Sequence, residues 1–203
     1  MVLTSNQRNW SVFFGAIAIT VIAAAIYFGS VGVNDDTIRV SLRLSAHAAF
    51  VLLLVVFVAR PLRQLVNSPL TLALLRNRRL IGIAFAGIHT AHLGLIFYRD
   101  KMVDDFDLNI SESLLGGATY VVIYLMFITS FDATTRALGP KNWRLLHKVG
   151  LYWILLAFVP TLLPASTDQV IAVNGFLILL TAVAVTVRLT AFFAKRKPRA
   201  QRQ

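Results

Sequence analysis

The sequence predicts an all-α membrane protein, a bundle of six transmembrane helices with both termini in the cytoplasm. Three observations carry that prediction. Of 203 residues, 57% are hydrophobic and 14% charged, with a mean hydropathy of +0.71; a soluble domain carries about 25% charge. The apolar residues form six runs, each near the roughly 20 residues a helix needs to cross the hydrocarbon core. Lysine and arginine then fall on alternate connections, as membrane orientation demands.

The first run spans Val12–Val31 and the second Val40–Ala59, separated by a polar loop with Asp35 and Asp36. The first is longer than the roughly 7–15 apolar residues of a signal peptide, so a retained helix is expected. The third run, Leu80–Tyr98, is bracketed by Arg78 and Arg79 at one end and Arg99 at the other. The fourth covers Leu114–Phe131, the fifth Leu145–Pro164 and the sixth Val170–Val187. Connections are short and polar, so one domain is expected over 1–194. A basic cytoplasmic tail over 195–203, without apolar pattern, should lie near anionic lipid headgroups.

With the N-terminus inside, the inner segments hold Arg8, then Arg60, Arg63, Arg76, Arg78 and Arg79, then Arg136, Lys141, Arg144 and Lys148, then Arg188 and the tail. The outer loops hold only Arg39, Arg43, Arg99 and Lys101. Every acidic residue except Asp132 also falls outside: Asp35, Asp36, Asp100, Asp104, Asp105, Asp107, Glu112 and Asp168. The net charge of +11 is thus a topology signal. It does not indicate nucleic-acid binding, which wants a folded basic face with interleaved aromatics. Trp10, Tyr98, Trp143 and Trp153 lie near expected interfaces, where amphipathic rings anchor a helix.

The chain has no cysteine, which excludes disulfides, iron–sulfur ligation and thiol catalysis by its own residues. A phosphate loop, a dinucleotide fingerprint and a nucleophile elbow are absent from the sequence, so electrons or substrates must come from another molecule. A proton-coupled transporter would want carboxylates within spans, and the spans lack them.

What the spans do contain is histidine: His47, His89, His92 and His147, all within or at the ends of apolar runs. Ionisable side chains at that depth are costly and usually functional. At 1.5 Å per residue, His92 lies about 18 Å and His89 about 14 Å from the inner edge, and His47 about 20 Å. His147 lies within about 5 Å of that edge. Neutral imidazole is a good haem ligand, and two axial ligands must share a depth. His47 and His92 meet that condition; His89 could substitute for His92 or bond a propionate. Small residues around them (Ser45, Ala46, Ala48 and Ala49, then Ala84, Ala86, Gly87, Ala91 and Gly94) suit either a planar cofactor or close helix packing. Zinc would want three or four convergent ligands, and the same depth offers no carboxylate.

Two stretches carry a family resemblance. One is Arg78-Arg79-Leu80-Ile81-Gly82 followed by His92; the other is Phe127-Ile128-Thr129-Ser130, then Arg136, Leu138-Gly139, Trp143 and Leu146-His147. Arg43 and an Arg60-Pro61-Leu62 turn also fit. Over about residues 40–160 the chain resembles the ferric-reductase-like transmembrane family, most closely its MsrQ subgroup of haem-binding membrane subunits serving periplasmic methionine sulfoxide reductases.

The resemblance implies a multi-pass protein of the bacterial inner membrane that carries electrons on haem b. It would be an electron-transfer subunit rather than a complete enzyme. It implies one haem, or two if His147 holds a second, with FMN as a further cofactor. A cytoplasmic flavin reductase or the quinone pool would supply electrons, and a periplasmic, MsrP-like oxidoreductase would accept them. By motif, His92 is an iron ligand and His147 the inner histidine. Arg43, Arg79 and Arg144 are expected to contact propionate or phosphate groups. The family's further histidine, about 13 residues past His147, is Pro160 here. His47 is the expected replacement as the second ligand of the His92 iron. The competing expectation is a haem-free assembly or anchor subunit of a larger membrane complex.

Overall fold

A computed structural model of the chain describes residues 4–102, 110–162 and 168–196. They form six helices: α1 (Ser5–Val31), α2 (Asp35–Leu65), α3 (Pro69–Met102), α4 (Ile110–Ile128), α5 (Asp132–Leu162) and α6 (Asp168–Arg196). Among the described residues there is no strand. Five helices have the length and apolar composition to cross a membrane: α1, α2, α3, α5 and the Val173–Lys195 part of α6. The fourth is a shorter apolar helix over Leu114–Ile128. Outer-loop residues Asp104, Asp105 and Asp107, and tail residues 197–203, lie outside the described residues; Lys195 and Arg196 complete α6.

The helices run past their apolar cores because their first turns are capped by polar side chains. Thr4 and Gln7 exchange side-chain and backbone bonds ahead of α1 (3.3 and 2.9 Å), and Asn34 and Thr37 do the same ahead of α2 (2.9 and 3.0 Å). Asp35 and Asp36 add negative charge at the positive end of α2. Pro69 opens α3, where its missing N–H costs nothing. The fourth helix stops at Ile128, short of the expected Phe131. There the Thr129 and Ser130 hydroxyls bond back to Leu125 and Met126 carbonyls (2.7 and 2.8 Å), and the Ser130 amide tightens onto Phe127 (2.9 Å). In α5 two helical stretches meet at Gly139, whose φ of 76° favours glycine, and Pro140 restarts the helix.

The expected Arg60-Pro61-Leu62 turn is instead helical, and α2 continues through Pro61 to Leu65. Proline removes the N–H that would bond the carbonyl of residue 57. That carbonyl is taken by α6: Arg188 Nη1 donates to the Phe57 oxygen at 2.9 Å. The guanidinium also lies over the rings of Phe57 and Tyr152, at 4.3 and 4.9 Å.

Helix α3 is packed between α1 and α2, α2 also meets α6, and α4 lies on α5. A Cβ on Gly87 would stand 2.6 Å from the Phe13 carbonyl oxygen and 2.9 Å from the Ala16 Cβ, so this glycine sets the α1–α3 spacing. Toward the other end the same two helices part around an apolar groove of about 440 Å³, bordered by Ala24, Ala25, Ala91 and Gly94. Of the small residues read as lining a cofactor, Gly87, Ala91 and Gly94 therefore face α1.

Two charged clusters mark the ends of the bundle. At one, Asp132 accepts from Ser5 Oγ (2.6 Å) and pairs with Arg79 (2.7 Å), tying α1, α3 and α5. At the other, Asp35 pairs with Arg39 (2.6 Å) and Arg99 (2.7 Å), tying α2 to α3. The starts of α1 and α5 and the Arg188 end of α6 thus share the arginine-rich end. Three of the aromatics expected at interfaces tie helices together: Trp10 packs on Phe127 and Phe131, Trp153 donates to Thr119 Oγ1 (3.2 Å) and Tyr98 stacks on Phe28.

Candidate functional site

The polar centre lies where α2, α3 and α4 face one another. His92 and His89, three residues apart, project from neighbouring faces of α3 with ring centroids 5.8 Å apart. Ser45 of α2 holds His92: Oγ to Nδ1 is 2.9 Å. The same hydroxyl lies 2.9 Å from the Ser41 and Leu42 carbonyls, which only accept. Where the hydroxyl donates to those carbonyls it accepts from Nδ1–H, the tautomer that puts the His92 lone pair on Nε2. The Leu42 backbone lies beside the same ring, and an imidazole oriented by hydrogen bonds from a neighbouring helix is the usual arrangement of a metal-binding histidine.

His89 is buried, at 7% exposure, among the rings of Phe85 (4.5 Å), Phe158 (5.6 Å) and Tyr120 (5.9 Å). The Phe85 backbone one turn earlier lies beside its ring, but no hydrogen bond of good geometry reaches Nδ1, and none reaches the buried Tyr120 hydroxyl. Buried polar atoms are nearly always bonded, so two orphans at one level call for a further polar group there. Haem fits this donor set: His92 as ligand, with aromatic walls and spare polar atoms beside it. Among the described residues no three His, Asp or Glu side chains cluster as a metal site.

The expected partner of His92 is elsewhere. His47 follows Ser45 by two residues, which turns it about 200° around α2. Ser45 faces α3, so His47 faces away, toward α6, where Asn174 lies beside it. Asn174 Nδ2 in turn donates to the Leu162 carbonyl at 3.1 Å. The depth match between His47 and His92 is real, but a helix backbone stands between them. Arg43, two residues before Ser45, is exposed and also turned from His92.

His147 forms a separate, inner layer. Its Nε2 lies 3.1 Å from Thr129 Oγ1, and Trp143 stacks on its ring at 4.2 Å. Nine residues of α4 separate Thr129 from Tyr120, about 14 Å along the helix. Of the expected anion contacts, Arg79 is engaged by Asp132 and Arg144 is exposed. Arg60 and Arg78 border a cavity of about 280 Å³ at the same end. Sequence reasoning passed over Tyr120 and read Arg188 only as an inner charge; its place between Val187 and Leu189 at the end of an apolar run was the available signal for a packing role.

The sequence model of the ferric reductase like transmembrane component matches residues 45–159, which hold all four histidines. The chain belongs to this family. It is similar to the protein-methionine-sulfoxide reductase heme-binding subunit MsrQ of Polaromonas naphthalenivorans (strain CJ2), with 32% identity over 100 residues, 47% of this chain and 44% of that protein. It is also similar to MsrQ of Cronobacter sakazakii (strain ATCC BAA-894), with 28% identity over 155 residues, 72% of this chain and 76% of that one. The chain thus spans less than half of the first relative and about three quarters of the second. No solved structure matches it. Family, relatives and apolar helices together make it a multi-pass protein of the bacterial inner membrane. Within this ferric reductase-like protein, Pro160 is exposed on α5, and the α5 side chain that reaches the α3 histidines is Phe158.

Proposed function

We propose that this protein is a b-type haem electron carrier of the membrane, the electron-transfer subunit of an oxidoreductase system. The observation that carries the reading is His92, oriented through Nδ1 by Ser45 and set beside two buried polar atoms without partners. His92 would ligate the iron; Ser45 holds its ring; Phe85 and Phe158 exclude water from the site; His89 and Tyr120 offer hydrogen bonds to it. When bound, haem supplies one-electron chemistry, and the chain supplies ligation, burial and orientation. His147, one layer toward the arginine-rich end, is the station for a second haem or for a propionate. FMN would be met at that same end, where Arg60, Arg78, Arg144 and Lys148 gather.

The arginine-rich end faces the cytoplasm, by the bias of Lys and Arg toward inner loops, and both termini lie there. Electrons then pass from a cytoplasmic flavin reductase or quinol to a periplasmic oxidoreductase of the kind the MsrQ relatives serve. The test is the purified protein's visible spectrum, oxidised and dithionite-reduced, with a pyridine haemochrome count. A b-type haemochrome at one or two per chain is expected. A colourless protein from haem-replete cells would leave the haem-free assembly subunit as the function.

A further inference from the structure

Resting on the haem reading above, we infer that the iron held by His92 has a protein ligand on one side only, and that its other side is open to a small neutral ligand of the carbon monoxide class. A planar macrocycle takes its two axial ligands from opposite directions, so the second must come from an element facing α3. His89 cannot supply it while His92 holds the first position, because both leave the same helix three residues apart.

The other helices around the site offer no second nitrogen among the described residues. From α5 the side chain that arrives is Phe158, its ring 5.6 Å from that of His89 and 4.8 Å from that of Phe50. Pro160, where the family pattern carries histidine, has no donor atom and is exposed. From α2 comes Ser45, already bonded to His92 Nδ1, while His47 lies on the far side of that helix. From α4 comes the Tyr120 phenol, a hydroxyl without a partner. The thioether of Met126 is one layer inward, against Gly150 of α5. Phe158 and Tyr120 pack on His89, and neither brings a nitrogen to the site. Distal polarity and steric access decide whether a haem pocket takes a diatomic molecule or only passes electrons, and an iron without a second protein ligand has a position left for one.

The experiment uses the full chain in isolated membranes and in detergent, with a haemochrome count on the same sample. After dithionite reduction, carbon monoxide is expected to shift the Soret band within mixing time, with one carbon monoxide per His92-dependent haem. The reduced spectrum before addition should be the broad one of a five-coordinate iron, and His47→Ala should leave it unchanged. A haem-loaded protein with the sharp α-band of a six-coordinate iron that ignores carbon monoxide would overturn this inference and leave the electron-carrier reading standing. Conversion of such a spectrum to the broad form by His47→Ala would overturn it by naming the second ligand. An absence of haem in the count would overturn both.

Discussion

The outer and inner histidine layers are built from the same parts, a hydroxyl on one imidazole nitrogen, and set them in different surroundings. In the outer layer Ser45 engages His92 through Nδ1, and two buried polar atoms nearby have no partner. In the inner layer Thr129 engages His147 through Nε2, and Trp143 covers the ring. The Thr129 hydroxyl bonds to Leu125, and its carbonyl receives the Trp143 indole N–H at 2.9 Å. The inner histidine is thus tied to the α4–α5 junction through one ring nitrogen, and the outer one is tied to α2 beside buried polar atoms that lack partners. Two intramembrane histidines can look alike in sequence and differ in what surrounds them.

The comparison breaks most visibly at the histidines. His92→Ala is expected to remove the haem, read as loss of the haemochrome, while His147→Ala keeps a haem with the His92 spectrum. Equal loss from both would give the layers one role. Next comes Ser45→Ala, which frees the His92 ring without touching the iron. Losing such an outer-shell bond lowers ligand-site affinity about 10–100-fold, measured by haem transfer to an apoglobin acceptor. Unchanged transfer would mean Ser45 does not orient the ligand.

Arg188→Leu probes the packing beneath both layers. It leaves the Phe57 carbonyl without a donor, at a cost of about 1–3 kcal/mol, read as a lower unfolding midpoint in detergent. Pro61→Ala restores an N–H to that carbonyl, so the same change should cost less in its background; equal costs would mean the bond to Phe57 is not what Arg188 contributes. The smallest effect is Thr129→Ala, which removes one exchanged hydrogen bond at His147, about 0.5–1.5 kcal/mol. It should leave the haem spectrum unaltered.

The helical architecture was legible because apolar runs near 20 residues have few other uses. Depth was legible too, since a helix rises 1.5 Å per residue whatever it packs against. Azimuth was not. Ser45 and His47 are separated by about 200°, but only packing decides which of them meets α3. Helix ends were misjudged where capping side chains such as Asn34 extend a helix beyond its apolar core. Pro61 reads as a break because its cost is local, whereas its compensation comes from Arg188, on another helix and 127 residues further along the chain.

That compensation sets an order on assembly. When α2 enters the membrane, the Phe57 carbonyl has lost its own helix's donor, and the residue that will satisfy it has not yet been synthesised. Until α6 arrives, α2 carries an open acceptor, at the cost of about 1–3 kcal/mol that Arg188→Leu would expose. The last helix is therefore the keystone of biogenesis. Its arrival seals a defect written into the second helix, and a chain cut short before Arg188 would present that defect to the cell's quality control.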